Sequence, residues 1–233
     1  MRPIRALHQI EMTSHCNLRC DYCPSPNLQR PKVHMDQSTF EKCLSQVRRI
    51  MDYPGNQQAE LNLAGIGEST IHPEFLELVT LARNKLGYGL PFVLATNGIT
   101  MTEGLAEALA LLKVRVWVSL HKPRKAKHAV DMLSDHGALW GVSIDPSVNP
   151  INWAGQVEGP LAPMNPEEVC PWLSYGRVMC MADGRVTTCC IDASGAGVIG
   201  TIDDDLLTMS VKPYSLCPKC YHPLPEDMKE CSA

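Results

Sequence analysis

The stretch CNLRCDYC, Cys16 to Cys23, places three cysteines within eight residues and supplies no fourth. Its short spacers let three thiolates turn inward from one loop around a single compact centre, and thiolates are soft ligands that suit iron–sulfur clusters or zinc. A metal site built wholly from protein closes with four ligands. Three therefore point to a coordination position left open, which chemistry needs and a structural site avoids. The next cysteine, Cys43, does not complete the set. It lies in STFEKCLSQVRRIM on one stripe with Phe40, Leu44, Val47, Ile50 and Met51, the spacing of a buried helix face, where free cysteine acts as a small hydrophobe.

On either side of the loop the chain alternates strand-like and helix-like segments. LHQIEM leads into the cysteines, and AELNLAG, PFVLATNG, RVWVSL and LWGVSID read as further strands. Between them lie the Cys43 helix, HPEFLELVTLARNKLG with Pro73 near its start and Gly87 past its end, TEGLAEALALLK capped by Thr102, and RKAKHAVDMLSDHG closed by Gly137. Five strands joined by four helices predict parallel strands with crossover helices, as an open doubly wound sheet or a barrel. From Pro146 to Glu168 the chain is rich in Pro, Asn and Gly and too long for a structureless connector, so it hides a sixth strand or lies over an active site. GRVMCMADGRVTTCCID then reads as a hairpin turning at Ala182-Asp183-Gly184, followed by irregular chain ending in CPKC. The expected division is 1–150, a connector 151–168, and a cysteine-rich module 169–233.

At 233 residues the chain builds a substantial core without staples. A net charge of −4 argues against non-specific attraction to nucleic acid or an anionic membrane, and 6% aromatic residues against a base-stacking platform. MRPIRALHQIEM lacks the apolar run of a signal peptide, and Leu105 to Leu112 is far too short to span a bilayer, so the expected location is the cytoplasm and no membrane partner. There, eleven cysteines, an odd count, read as metal ligands, core residues or redox groups rather than disulfides.

The C-x3-C-x2-C spacing with an aromatic residue, Tyr22, before the last cysteine resembles the defining motif of the radical S-adenosylmethionine enzymes. AGIGEST resembles that family's glycine-rich segment after strand two, LATNG the end of strand three, and VWVSLHK the strand-four segment; Ile66 stands where glycine is frequent and Ser69 where proline is frequent. The resemblance implies a partial (β/α)6 TIM-like barrel with a 4Fe-4S cluster on Cys16, Cys20 and Cys23. It also implies that S-adenosylmethionine fills the open iron position, and that one electron cleaves it to methionine and a 5′-deoxyadenosyl radical that takes hydrogen from substrate. Tyr22, Gly65, Gly67, Glu68, Asn97 and Ser119 are the cofactor-binding candidates. Gly65 and Gly67 are expected to let backbone approach the ligand. Seen singly, the Asn97-Gly98 pair also reads as a plain turn.

The late cysteines resemble the twitch or SPASM extension of the same family, which implies an auxiliary 4Fe-4S cluster. The expected ligands are Cys170, Cys189, Cys217 and Cys220, with Cys180, Cys190 and Cys231 in reserve. Adjacent residues on a strand point to opposite faces, so only one of Cys189 and Cys190 joins easily. The CPKC spacing alone fits a structural zinc knuckle equally well.

The resemblance further implies an electron donor such as flavodoxin or ferredoxin and a small polar or nucleotide-type substrate, with peptide or protein modification as the alternative. A noncatalytic zinc or iron–sulfur scaffold is the reading from another class. HKPRKAKH, His121 to His128, reads as a solvated helix face, with an anion site at the barrel mouth as the alternative. His15 flanks the cysteine loop, and His222 reads as a loop residue.

Overall fold

A computed structural model describes residues 1–143, 152–161 and 163–232, with side chains as far as Lys229. The parallel strands are β2 (Ala6–Ile10), β3 (Leu61–Asn62), β4 (Phe92–Thr96), β5 (Val114–Ser119) and β6 (Leu139–Ser143), with α1 (Gln37–Asp52), α2 (Phe75–Leu86), α3 (Glu103–Leu111) and α4 (Pro123–Asp135) between them. Each expected strand and helix up to residue 143 is present. Residues 144 and 145, the expected end of β6, lie outside the described residues.

Local chemistry explains the helix bounds. The Asp36 carboxylate accepts from Thr39 N–H at 2.8 Å and opens α1, Thr102 accepts from Leu105 N–H at 3.3 Å and opens α3, and Gly87 and Gly137 take positive φ after α2 and α4. On α1 the residues facing the sheet, Phe40, Cys43, Leu44, Val47 and Ile50, are buried, so the periodicity read from the sequence is the core face. On β5, Val114, Val116 and Val118 pack under the helices while Arg115, Trp117 and Ser119 face the other way.

The eight-stranded sheet runs β6-β5-β4-β3-β2-β7-β8-β9, where β7 is Arg177–Cys180, β8 Arg185–Thr187 and β9 Val198–Thr201. The strands β6 to β2 and β7 are mutually parallel; β8 and β9 continue antiparallel. This is the partial barrel fold, open rather than closed. The hairpin turns at Ala182–Gly184 as its sequence predicts, with Gly184 N–H donating to Met181 O at 2.9 Å. Its first strand, however, adds to the free side of β2. Among the described residues from 152 to 170 there is no strand next to β6: the sixth parallel strand comes from the cysteine-rich part of the chain, at the opposite edge. Before β2, β1 (Arg2–Pro3) pairs with β10 (Ser210–Val211), tying the N-terminus to the same region. A short helix, α5 (Pro171–Ser174), precedes β7.

All these parallel strands end at one edge, and among the described segments that follow them 11–35, 63–71, 97–101, 120–122 and the 181–184 turn lie there. The carboxyl edge of parallel strands is where α/β folds place ligands.

Candidate functional site

Glu11, directly after β2, organises this edge. It is fully buried, and the Arg30 Nη2 group donates to its Oε1 at 2.8 Å and Oε2 at 2.7 Å. Ile66 N–H and Ala182 N–H complete four donations at 3.1 and 2.9 Å. Burial pushes the carboxyl up, while Arg30 and the two backbone donors pull it down. One carboxylate thus joins the cysteine loop, the glycine-rich segment and the β7–β8 turn.

The glycine-rich segment explains why β3 is short. After Asn62 the chain leaves the ladder and packs on the backbone before the cysteines, with Glu68 N–H donating to His15 O at 2.8 Å. A methyl on Gly67 would lie 2.2 Å from Thr13 O, and one on Gly65 2.3 Å from Glu11 Cγ. The missing side chains make room for the protein's own chain, which carries the cysteine loop.

Beside this packed layer lies a cavity of about 270 Å³. Its walls include Cys16, Cys20 and Cys23 together with Tyr22, Gly65, Gly67, Glu68, Asn97 and Ser119, so every candidate for the first cluster and its cofactor faces one space. Glu68 is 3% exposed; its Oε1 accepts from the Thr96 and Thr70 hydroxyls at 2.7 and 2.6 Å, and its Oε2 from Asn97 N–H at 2.7 Å. Glu68 therefore ties the glycine-rich segment to the end of β4. Asn97 in turn donates its side-chain N–H to Asn17 Oδ1 at 2.7 Å, within the cysteine loop.

Two of the three thiols accept backbone hydrogen bonds. Leu18 N–H donates to Cys16 Sγ at 3.4 Å and Ser25 N–H to Cys23 Sγ at 3.5 Å. Burial raises the Cys16 thiol and pushes Cys23 up to about 11, so coordination has to release protons. The observed features fit a 4Fe-4S cluster with S-adenosylmethionine: three soft donors on one loop, no fourth cysteine on the wall among the described residues, and carboxylate, amide and hydroxyl groups on the facing strand ends.

Two wall residues, His121 and Trp153, were not among the cofactor-binding candidates read from the sequence. His121 Nδ1 lies 2.8 Å from the Tyr22 hydroxyl, and Trp153 Nε1 donates to Tyr22 O at 3.0 Å. His121 belongs to the basic stretch, whose Arg124, Lys125 and Lys127 are exposed as expected of a solvated face. Its place two residues past the end of β5 was the available signal. Trp153 lies in the Pro/Asn/Gly-rich connector, which through this residue reaches the cavity wall. Trp153 and Ala154 take φ of 52° and 55°, an uncommon conformation for residues with a Cβ. Gln156 clamps this turn to the cysteine-rich region, donating to Ile191 O at 2.6 Å and accepting from Ala193 N–H at 3.1 Å.

A second, smaller cavity is lined by Cys170, Cys189, Cys217 and Cys220, the four late cysteines favoured as ligands, with Tyr214, His222 and apolar neighbours. Burial pushes Cys170 and Cys217 up to about 11. Tyr214 N–H donates to Cys217 Sγ at 3.4 Å and His222 N–H to Cys220 Sγ at 3.5 Å. Cys190 lies beside Cys189 but not on this wall. Cys180 is wholly buried against Cys43 in the core, away from both cavities. The Cys231 side chain lies outside the described residues. Tyr214 lines this cavity too, and its hydroxyl is buried without a hydrogen-bond partner. The donor chemistry therefore fits an iron–sulfur cluster. Among the described residues, no group of three or more His, Cys, Asp or Glu side chains is drawn in around a single metal ion. His15, beside the first cavity, stacks on His34 with ring centroids 4.6 Å apart.

Residues 10–136 match the family model described as the Radical SAM superfamily. Over 105 residues, 45% of this chain, the sequence is 30% identical to the tungsten-containing aldehyde ferredoxin oxidoreductase cofactor-modifying protein of Pyrococcus furiosus. It is 31% identical over 100 residues, 42% of the chain, to the PqqA peptide cyclase of Gluconobacter oxydans. The matched stretches span 27% and 25% of those two proteins. Among solved structures, BtrN in complex with AdoMet and 2-DOIA superposes with a TM-score of 0.70 at 20% identity, covering 89% of this chain and 86% of that one. Native anSMEcpe with bound AdoMet and a peptide gives 0.60 at 16% identity, covering 94% and 86%. Among the described residues no helix is long and apolar enough to cross a membrane.

Proposed function

The chain belongs to the radical SAM superfamily, and from that premise we propose that it is an enzyme holding a 4Fe-4S cluster on Cys16, Cys20 and Cys23 and binding S-adenosylmethionine in the adjoining cavity. The observation that carries this reading is the convergence of three thiols and six further cofactor candidates on one cavity at the carboxyl edge of the parallel strands. When bound, the cluster and cofactor supply reductive cleavage of a carbon–sulfur bond and, with it, hydrogen abstraction from a substrate carbon.

The protein's own part is placement and exclusion. Glu68 fixes the end of β4 against the glycine-rich segment, so that Asn97 is held over the cysteine loop. His121 orients the Tyr22 hydroxyl, and Trp153 covers the cavity and holds the Tyr22 carbonyl. Residues 1–150 form the catalytic barrel in this proposal, 151–168 the cover, and 169–233 a twitch-like module. There Cys170, Cys189, Cys217 and Cys220 hold an auxiliary 4Fe-4S cluster. The reducing electron comes from a flavodoxin or ferredoxin in the cytoplasm.

For the substrate, a small polar molecule is the reading supported by likeness to the BtrN complex over 89% of this chain. A peptide substrate is favoured by a different observation, the likeness to anSMEcpe with a bound peptide together with the match to a peptide cyclase.

Anaerobic reconstitution tests the assignment of the two cysteine sets. The expected product is a brown protein with about eight irons per chain, from two four-iron clusters. Replacing Cys217 and Cys220 by alanine is expected to halve the iron yet leave uncoupled formation of 5′-deoxyadenosine from S-adenosylmethionine and dithionite. A colourless zinc protein that makes none contradicts the proposal.

A further inference from the structure

Tyr214 is a residue of the second cavity with no place in the ligand set. Its hydroxyl is buried without a partner. Leaving such a group unpaired forfeits its hydration without return, so a native structure supplies an acceptor. The nearby carboxylate does not serve. Asp192 already accepts from Gly195, Ala196 and Gly197 N–H at 2.9, 2.8 and 2.8 Å, and from the Thr187 hydroxyl at 2.5 Å.

The loop that Asp192 organises also seats the ring. A methyl on Gly197 would lie 2.8 Å from Tyr214 Cδ2 and Cε2, so the ring rests flush on that glycine. At its other end Tyr214 is bound to the cysteine set, its N–H donating to Cys217 Sγ at 3.4 Å. Backbone and ring are thus fixed, and Tyr214 lines the wall shared by Cys170, Cys189, Cys217 and Cys220 with its hydroxyl buried.

We propose that Tyr214 is a positioning residue that donates its O–H to a sulfur of the cluster held by these four cysteines and so raises that cluster's reduction potential. The physical reason is that a donor on sulfur withdraws charge and favours the reduced, more negative state. The proposal rests on the reading of this cavity as an iron–sulfur site.

The test uses the full chain carrying Cys16→Ala, Cys20→Ala and Cys23→Ala, reconstituted anaerobically, so that any cluster signal belongs to the second cavity. Redox titration followed by electron paramagnetic resonance compares this protein with the same chain carrying Tyr214→Phe, at equal iron content. The expected result is a midpoint potential shifted lower in the phenylalanine variant. Gly197→Ala keeps the hydroxyl but pushes the ring from its seat, and is expected to move the potential in the same direction; it serves where Tyr214→Phe does not fold. Unchanged potentials in the folded variants overturn the role of Tyr214 alone. Absence of any cluster in the parent chain overturns the iron–sulfur reading of this cavity, and the proposal with it.

Discussion

Replacing Cys16, Cys20 and Cys23 together by alanine is expected to lower 5′-deoxyadenosine formation by roughly a thousandfold or more, the scale seen when a group indispensable to the chemistry is removed. The fold should survive. These side chains sit at the rim of a cavity, half-buried, and none belongs to the main hydrophobic core. What they hold in place in the metal-free protein is little more than two N–H···S contacts, from Leu18 and Ser25. The iron content should fall by half while the thermal midpoint changes little. A single replacement at Cys43 or Cys180, both wholly buried in the core, is expected to reverse this pattern, preserving the iron and lowering stability. The contrast separates ligand cysteines from packing cysteines within one chain.

The second large effect concerns stability. Arg30→Ala is expected to lower the unfolding free energy by about 3–5 kcal/mol, the range for breaking a buried ion pair from one side. The Glu11 and Arg30 side chains are 0% and 2% exposed, so a lone carboxylate at Glu11 has no water to turn to. The guanidinium also donates from Nε to Ala193 O at 2.7 Å, and its loss frees the segment that Gln156 uses to clamp the Trp153 turn. The damage should therefore reach the cofactor cavity as well as the fold. Pairing Arg30→Met with Glu11→Gln removes both charges and is expected to recover much of the stability, because the pair replaced by neutral groups no longer leaves an uncompensated ion. Urea denaturation reads both results through the midpoint at constant slope. A loss below about 1 kcal/mol for Arg30→Ala would mean that the pair is not buried as described.

The legibility of this protein in its sequence follows the range of the interactions involved. The β/α order up to Ser143 could be read because each element carries its own periodicity, as the Phe40–Ile50 stripe of α1 does. The three cysteines of the first loop could be read because their spacing is local. The late cysteines are separated by up to 50 positions, from Cys170 to Cys220, and only resemblance grouped them before the fold brought four of them to one wall.

Long-range placement was not legible. Nothing local to RVMC says that β7 adds to the outer edge of β2 rather than beside β6, because that choice depends on which edge is free. The two-residue strands β1 and β10 carry too little pattern to be seen. The Glu11–Arg30 pair and the Trp153 bond to Tyr22 depend on partners elsewhere in the chain, 19 and 131 positions away. The close packing of Gly65 and Gly67 on the chain's own backbone and on Glu11 was not legible either, because it too depends on the fold.

The most direct measurement is electron paramagnetic resonance of the anaerobically reconstituted, dithionite-reduced protein before and after addition of S-adenosylmethionine. If Cys16, Cys20 and Cys23 leave one iron without a protein ligand, the four-iron signal of the first cluster shifts when the cofactor is added, and the shift is absent from the alanine variant at those positions. A cluster signal that S-adenosylmethionine leaves untouched, or a first site without a cluster, contradicts the account.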